Sequence, residues 1–307
     1  MLNILRFLAR HGRYALVVGL LAGLLLPDFA VKMKPWLPQL VVSLVFLTAL
    51  RTGPKDTLKG LANFKSTLSV VLVFQLIVPL SALAISYLFG FAQSPYALAV
   101  VLVLAAPALN GSPNLSIMLG ADPEPAFRLL ILGTALLPLT MLPIFWLLPQ
   151  LGDFTLAVAS ASRALLAIGI AISLGFLFSV KLIPNPTRAQ TQAVDGVMTV
   201  ALAVIVVGLM AALRPAFEAS VTQTMVWMAL AFAVNYGMQI VTFLASKCLN
   251  WGPEAVPYSI VSGNRNVAIF LVAIPPEVAE PLLIFLGCYQ VPMYLTPILA
   301  RRFYQFS

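Results

Sequence analysis

The chain has little charge for its length. Charged residues make up 9% of its 307 residues and hydrophobic residues 61%, against about 25% and 45–50% in soluble domains. The one histidine, His11, lies in a basic segment, and the two cysteines, Cys248 and Cys288, lie far apart in apolar segments. This pattern excludes a disulfide scaffold and a histidine–cysteine metal site. The mean hydropathy of +1.00 is typical of a polytopic membrane protein.

Acidic residues are also scarce, and all ten fall between the apolar runs or at their ends. A proton relay needs an Asp, Glu or His at membrane depth. The sequence therefore disfavours proton coupling, including proton–sodium exchange on a related fold, and it disfavours an intramembrane enzyme. The net charge of +8 comes from short basic clusters between apolar runs. Such clusters set membrane topology, so we expect a lipid bilayer as partner and no nucleic acid.

Ten hydrophobic runs are long enough, at about 20 residues each, to cross a membrane. They lie at 14–30, 36–50, 67–90, 95–120, 127–149, 162–183, 195–213, 222–247, 254–275 and 280–300. Because backbone groups in lipid must be satisfied within each segment, the runs predict helices and an all-α fold. Two of the runs contain small polar residues, at 110–114 and at 262–266.

The basic residues predict the orientation. With the N-terminus cytoplasmic, thirteen of the 18 lysines and arginines fall on the cytoplasmic side and four on the other, and the last is Arg265. This bias predicts that both termini are cytoplasmic. The first run could instead be a cleaved signal peptide, but no clear cleavage site follows it, so a retained helix is favoured.

The two halves of the chain resemble each other. The third run contains "VFQLIVPL" and the eighth "GMQIVTFL", each with one glutamine among apolar residues. The fifth run contains Pro138 and Pro143, and the tenth contains Pro292 and Pro297 with the same spacing. These matching motifs predict two repeats of five helices, at residues 1–150 and 151–307. Because five is odd, the second repeat is inverted, as in secondary transporters.

The interruption in the fourth run, "ALNGSPNLS", predicts a broken helix. Ser112 fits an N-cap and Pro113 the first helical position, with Asn110 and Asn114 on either side. A proline kink filled by neighbouring side chains is the simpler alternative. Broken helices at matching places in two halves are the sequence feature that best indicates a transport site.

The interruption in the ninth run, "SGNRN", contains Arg265. Gly263 is expected to free the backbone here, and Ser262, Asn264 and Asn266 offer polar groups. An arginine near mid-membrane costs at least about 2.5–3.5 kcal/mol, so it needs carbonyls, a bound anion or water as partners. Alternatively, Arg265 cross-links the two interruptions and contacts no substrate.

The polar residues of the neighbouring runs are neutral: Gln75, Thr134, Asn235 and Gln239. Each could line a ligand site or make a contact between helices. Arg265 and the N-termini of two half-helices would create a positive field at the crossing. This field predicts a negatively charged ligand.

These motifs resemble those of the bile acid:sodium symporter family. "APALNGSPNLS" is similar to the family's fourth-helix motif, with Asn114 as the matching asparagine, and Gln75 with Pro79 matches a third-helix glutamine near a proline. The resemblance implies ten helices, with discontinuous fourth and ninth helices that cross at mid-membrane. It also implies a panel of the first, second, sixth and seventh helices, and a core of the other six.

The ninth-helix motif of the family, Glu-x-Gly-x-Gln-Asn, is altered in this chain. Gly263 and Asn266 match, but Val261 replaces the glutamate and Arg265 the glutamine. The family residues at these positions are implied ligands of two sodium ions. We therefore hypothesise that the guanidinium of Arg265 replaces a sodium ion. The alternative is a weakened sodium site near Gln75, Asn114 and Ser262.

The sequence thus predicts a secondary active transporter that works by alternating access, without a cofactor. The resemblance implies a bacterial inner-membrane protein and a small organic anion as substrate: a bile-acid-like, keto-acid or pantothenate-like carboxylate. Three alternatives stay open: a sodium-coupled symporter of organic anions, a channel, and a membrane receptor or structural protein that does not transport. The oligomeric state also stays open.

Overall fold

The structure is a computed structural model that describes residues 5–7, 12–60, 63–151 and 154–305. The described residues form no strand, and the fold is 87% helical, which confirms the all-α prediction. His11 lies outside the described residues.

The helices follow the predicted apolar runs closely. They are α1 (Gly12–Leu25), α2 (Pro27–Met33), α3 (Leu37–Gly60), α4 (Phe64–Leu72), α5 (Val78–Leu88), α6 (Pro95–Ala105), α7 (Ser112–Met118), α8 (Glu124–Leu147), α9 (Phe154–Leu182), α10 (Arg188–Met210), α11 (Leu213–Ala219), α12 (Val221–Cys248), α13 (Ala255–Gly263) and α14 (Pro276–Gln305). A π-helical segment, Val73–Ile77, joins α4 to α5, and a 3₁₀-helix, Val267–Val272, follows α13.

Seven of the helices in the described ranges are long and apolar enough to cross a membrane. They correspond to the second, third, fifth, sixth, seventh, eighth and tenth apolar runs. Many large apolar side chains on them face outward, including Leu139, Leu166, Val241 and Ile298. A soluble monomer rarely exposes so much contiguous apolar surface. The chain is therefore a multi-pass membrane protein. The first, fourth and ninth runs form shorter helices: α1, the pair α6 and α7, and α13 with its 3₁₀ extension.

The helices pack in two groups. In the first group, α3 packs against α9 and α10, and α10 packs against α1. In the second group, α12 packs against α13 and α14, and α8 packs against α4 and α7. The groups meet where α8 contacts α9, where α10 contacts α14, and where α3 crosses the 3₁₀-helix Val267–Val272. The two interrupted segments belong to the second group and lie beside α3 of the first.

Candidate functional site

The two interrupted segments contact each other directly. Ala108 and Arg265 form an isolated antiparallel β-bridge. Its backbone hydrogen bonds run from Leu109 N to Asn264 O (3.0 Å) and from Asn266 N to Pro107 O (2.9 Å). Backbone groups that helix α6 and helix α13 leave unpaired are thus satisfied by each other, as a low-dielectric surrounding requires.

Arg265 is buried at this bridge, with 2% of its surface exposed. Its Nε donates to the carbonyl of Ser262 at 2.9 Å and its Nη1 to the carbonyl of Ala106 at 3.0 Å. The guanidinium also lies 4.9 Å from the ring centre of Phe74, a cation–π contact. Of the three expected kinds of partner, the protein supplies the first, the carbonyls of the broken helices.

The two carbonyls lie at the C-terminal ends of α6 and α13. A helix C-terminus carries about half a negative charge, so two of them together offset about one positive charge. This differs from the positive field that the half-helix N-termini were expected to create. The reason is geometric: the guanidinium turns back toward the helices that end at the crossing, and not toward those that begin there.

The remaining guanidinium nitrogen, Nη2, is buried and has no hydrogen-bond partner. Arg265 borders a cavity of about 10 Å³, which is the space that one water molecule needs. The other lining residues are Val71, Phe74, Gln75, Ala108, Leu129 and Val261. An organic anion therefore does not reach the guanidinium in this conformation. Val261, at the position of the motif's glutamate, is one of the walls.

The residues at the crossing do not fit a sodium ion. Sodium would need oxygen ligands and a nearby negative charge, but Val261 supplies neither. The two helix-end carbonyls already accept from Arg265. Among the buried side chains of the described residues there is no Asp or Glu. The positive charge at the crossing is that of Arg265, which is covalently part of the chain.

Gly263 has a different role from the one expected. Its backbone keeps a negative φ, since it is absent from the left-handed glycines Gly53, Gly90, Gly120 and Gly252. A Cβ atom on Gly263 would lie 2.2 Å from the carbonyl oxygen of Asn235. The glycine is needed because α12 passes so close to the end of α13, and not because the backbone must be free.

A hydrogen-bonded network behind Gly263 holds the end of α13 in place. Asn235 donates from Nδ2 to the carbonyl of Gly263, and Tyr289 donates to the same carbonyl. Gln239 donates to Asn235 Oδ1 at 2.7 Å, and Tyr304 donates to Gln239 Oε1 at 3.0 Å. Asn235 and Gln239 were expected near the site, whereas the two tyrosines were missed. Tyr289 is a phenol within the tenth apolar run, whereas Tyr304 lies after that run and gave no signal in the sequence.

Asn264 and Ser262 also belong to this framework. Asn264 accepts at Oδ1 from Thr296 at 3.1 Å and donates from Nδ2 to the carbonyl of Ile260. The Ser262 hydroxyl donates to the carbonyl of Met238 at 2.9 Å. Both side chains are buried and bonded within the second helix group. Asn266 is half-buried, and its backbone N–H is committed to the bridge.

The first interruption is located slightly earlier than expected, at residues 106–111. The N-cap of α7 is Gly111, and Ser112 is the first helical residue, so the prediction of Ser112 as N-cap is wrong. The reason is that a turn closes before it: Ser112 N donates to the carbonyl of Leu109 at 2.9 Å. The Ser112 hydroxyl is buried and has no partner. Pro113 is therefore the second helical residue and not the first, as the sequence predicted, although it still lies in the first turn.

Asn110 and Asn114 point to different surroundings. Asn110 is half-buried and donates from Nδ2 to the hydroxyl of Thr48 on α3, at 3.3 Å. This bond joins the first interruption to the first helix group. Asn114 is exposed on α7, whereas Gln75 and Ser262, with which it was grouped, are buried. Thr48 was not among the expected site residues.

Gln75 lies in the π-helical segment Val73–Ile77, a type of helix distortion that is common at functional sites. It is 2% exposed and borders the Arg265 cavity. Its Oε1 accepts from Thr140 at 3.3 Å. Thr134, the threonine expected nearby, is half-buried one and a half turns earlier on α8. The sequence did not separate the two threonines, because both lie in the same apolar helix.

No protein-family model and no curated protein matches this chain.

Proposed function

We propose that the chain is a secondary transporter of a small organic anion that works by alternating access. In this proposal the polypeptide crosses a bacterial inner membrane ten times, as two inverted repeats of five helices (1–150 and 151–307), with both termini cytoplasmic. A panel (α1–α3 and α9–α11) and a core (α4–α8 and α12–α14) move against each other. The observation that carries the proposal is the crossing of two interrupted helices around Arg265.

Each half contains a hydrogen bond between a buried glutamine and a threonine. Gln75, from the third run, accepts from Thr140 on α8 at 3.3 Å. Gln239, from the eighth run, donates to Thr296 on α14 at 3.4 Å. In each half a buried glutamine thus pairs with a threonine two runs later. The two threonines stand at different positions relative to their proline pairs, since Thr140 follows Pro138 by two residues and Thr296 follows Pro292 by four. The proposal of an inverted repeat therefore rests on the proline pairs and the interrupted helices.

We propose that Arg265 acts as a built-in cation. In the bile acid:sodium symporter family, which the motifs resemble, sodium ions are implied at this crossing. A bound cation there neutralises the partial negative charge of the helix ends. Arg265 does the same through its bonds to Ala106 and Ser262, and its guanidinium stays protonated at any physiological pH.

The substrate would bind between panel and core, close to the Asn110–Thr48 hydrogen bond. This bond links the two bodies, so it must break when they separate. It then leaves the Asn110 amide free as a donor, while the Thr48 hydroxyl still donates to the carbonyl of Leu44. Asn114 is exposed nearby on α7. A neutral donor of this type can bind a carboxylate of a bile-acid-like, keto-acid or pantothenate-like molecule.

Counterflow in proteoliposomes tests this proposal. The vesicles are loaded with an unlabelled anion, and uptake of the labelled anion is measured for taurocholate, pyruvate and pantothenate in sodium-free buffer. A transporter accelerates uptake of at least one labelled anion when the same anion is present inside, and a channel does not. Thermal stabilisation by an anion without any counterflow would instead indicate a receptor. Neither stabilisation nor counterflow with any anion would contradict the proposal.

A further inference from the structure

We infer that Arg265 makes this protein an ion-free, potential-driven carrier that exports its anion. The inference rests on the proposed function and adds a direction and a driving force to it. It follows from the charge that moves in one transport cycle, and from the residues that are present to carry coupling ions.

The first step concerns the charge of Arg265 itself. The guanidinium is bound to two backbone carbonyls of the core and stacked on Phe74. It therefore travels with the core, and it returns to its starting position in each cycle. A charge that returns contributes nothing to the net charge transported. A dissociable cation, in contrast, is released on the far side and does contribute.

The second step concerns other coupling ions. Among the described residues, the buried charged side chains are Arg128 and Arg265. Arg128 is paired with Glu124 and Glu254, and both of these carboxylates are themselves partly exposed. No buried carboxylate is present there to carry a proton or to bind sodium. In this inference the anion crosses without a companion ion.

The third step is the effect of the membrane potential. The net charge of a complete cycle is then the charge of the substrate alone, which is −1 for a monocarboxylate. One elementary charge moved through 100 mV is worth about 2.3 kcal/mol. A cytoplasm that is negative by 100 mV thus drives a monovalent anion outward to a gradient of about 50-fold.

A cycle with two sodium ions has the opposite sign. One monovalent anion with two sodium ions carries a net charge of +1 inward, so the same potential drives uptake. The exchange of a dissociable cation for a fixed guanidinium therefore reverses the favoured direction. The reaction that supplies the substrate is then one that forms an organic acid inside the cell.

The reversal potential of reconstituted protein tests this inference. Proteoliposomes receive a tenfold gradient of whichever anion shows counterflow, and valinomycin with potassium sets the membrane potential. Net flux of a monovalent anion is expected to vanish at about 59 mV. This value should not change when a tenfold sodium gradient or a pH gradient is added. A reversal potential that shifts with either gradient, or flux that ignores the potential, overturns the inference.

Counterflow separates this inference from the proposal on which it rests. If no anion shows counterflow, the proposed function fails and the direction fails with it. If counterflow is present but the reversal potential follows sodium, only the inference fails. The double variant Val261→Glu/Arg265→Gln is the matched control, and its reversal potential is expected to shift with the sodium gradient. The measurement on the unmodified protein stands even if this variant does not fold.

Discussion

Nη1 of Arg265 lies 3.0 Å from the carbonyl oxygen of Ala106, although the two residues are 159 positions apart in the chain. This hydrogen bond joins the two interrupted segments, and a second bond ties the same guanidinium to Ser262. The cation is thus held by the C-terminal ends of two helices. From this arrangement come both the stability of the crossing and the proposed independence from sodium.

Replacing Arg265 by Gln should destabilise the protein by about 3 kcal/mol, because two carbonyls lose a charged donor in a buried site. The stability of Arg265→Lys should lie between that of the unmodified protein and that of Arg265→Gln. Lysine keeps the charge but cannot bond both carbonyls with one planar group. The measurement is unfolding by denaturant in detergent micelles. Arg163→Gln is the control, because Arg163 is exposed on α9. Equal losses of stability in Arg163→Gln and Arg265→Gln would contradict a stabilising role of the bonds that Arg265 makes.

Replacing Gly263 by Ala should cost about 1–3 kcal/mol, as overpacking of a core does. The new Cβ would lie 2.2 Å from the carbonyl oxygen of Asn235 and 2.5 Å from Cγ of Gln239. Gly237→Ala on α12 is the control. A Cβ there meets nothing within 4 Å, so alanine should stabilise the helix by about 0.5–1 kcal/mol. Thermal unfolding of the two variants should therefore shift in opposite directions.

Thr140→Val should destabilise the protein by about 1 kcal/mol, because Gln75 Oε1 loses the hydroxyl that donates to it. Thr134→Val, on the same helix, should change stability by less than about 0.5 kcal/mol. Unfolding curves of the two variants, measured side by side, show which threonine donates the hydrogen bond to Gln75. A larger loss at 134 than at 140 would mean that Gln75 bonds a different partner from the one described.

A cross-link between panel and core should stop transport. Lys34 and Glu280 form an ion pair of 2.8 Å that joins the segment before α3 to α14. Cysteines at both positions, with Cys248→Ser to remove the exposed native thiol, can be joined by a short thiol-reactive cross-linker. Counterflow is expected to vanish after treatment.

The control for this cross-link lies within the panel. Arg51 and Asp195 also form an ion pair of 2.8 Å, and both belong to panel helices. Cysteines at 51 and 195, joined by the same reagent, should leave counterflow intact, because the two helices move together. Loss of counterflow in both cross-linked variants would argue against a panel that moves as one body.

The helical framework could be predicted from the sequence because the length of each apolar run determines whether it can form a helix that crosses a membrane. The runs at 67–90 and 127–149 became the helices Phe64–Leu88 and Glu124–Leu147. The interruptions could also be predicted, since small polar residues stand out in apolar segments. Their details could not. Ser112 fits an N-cap by residue type, but the turn that precedes it depends on how Leu109 pairs with Asn264 of the other half.

The partners of Arg265 illustrate the same limit. The cost of burying a charge made some partner necessary, whereas the choice among carbonyls, an anion and water depended on which helix ends converge. The sequence predicts that Gly263 frees the backbone, because glycine tolerates conformations that other residues avoid. Its actual constraint, the closeness of Asn235, is a contact between helices that no local pattern reveals.

The measurement that tests the central claim most directly is counterflow with and without sodium, in the unmodified protein and in Val261→Glu/Arg265→Gln. If Arg265 replaces a coupling cation, the unmodified protein transports equally well in sodium, lithium or potassium. The double variant should then transport only in sodium. Transport by the unmodified protein that rises steeply with sodium, with lithium and potassium inert, would contradict the claim.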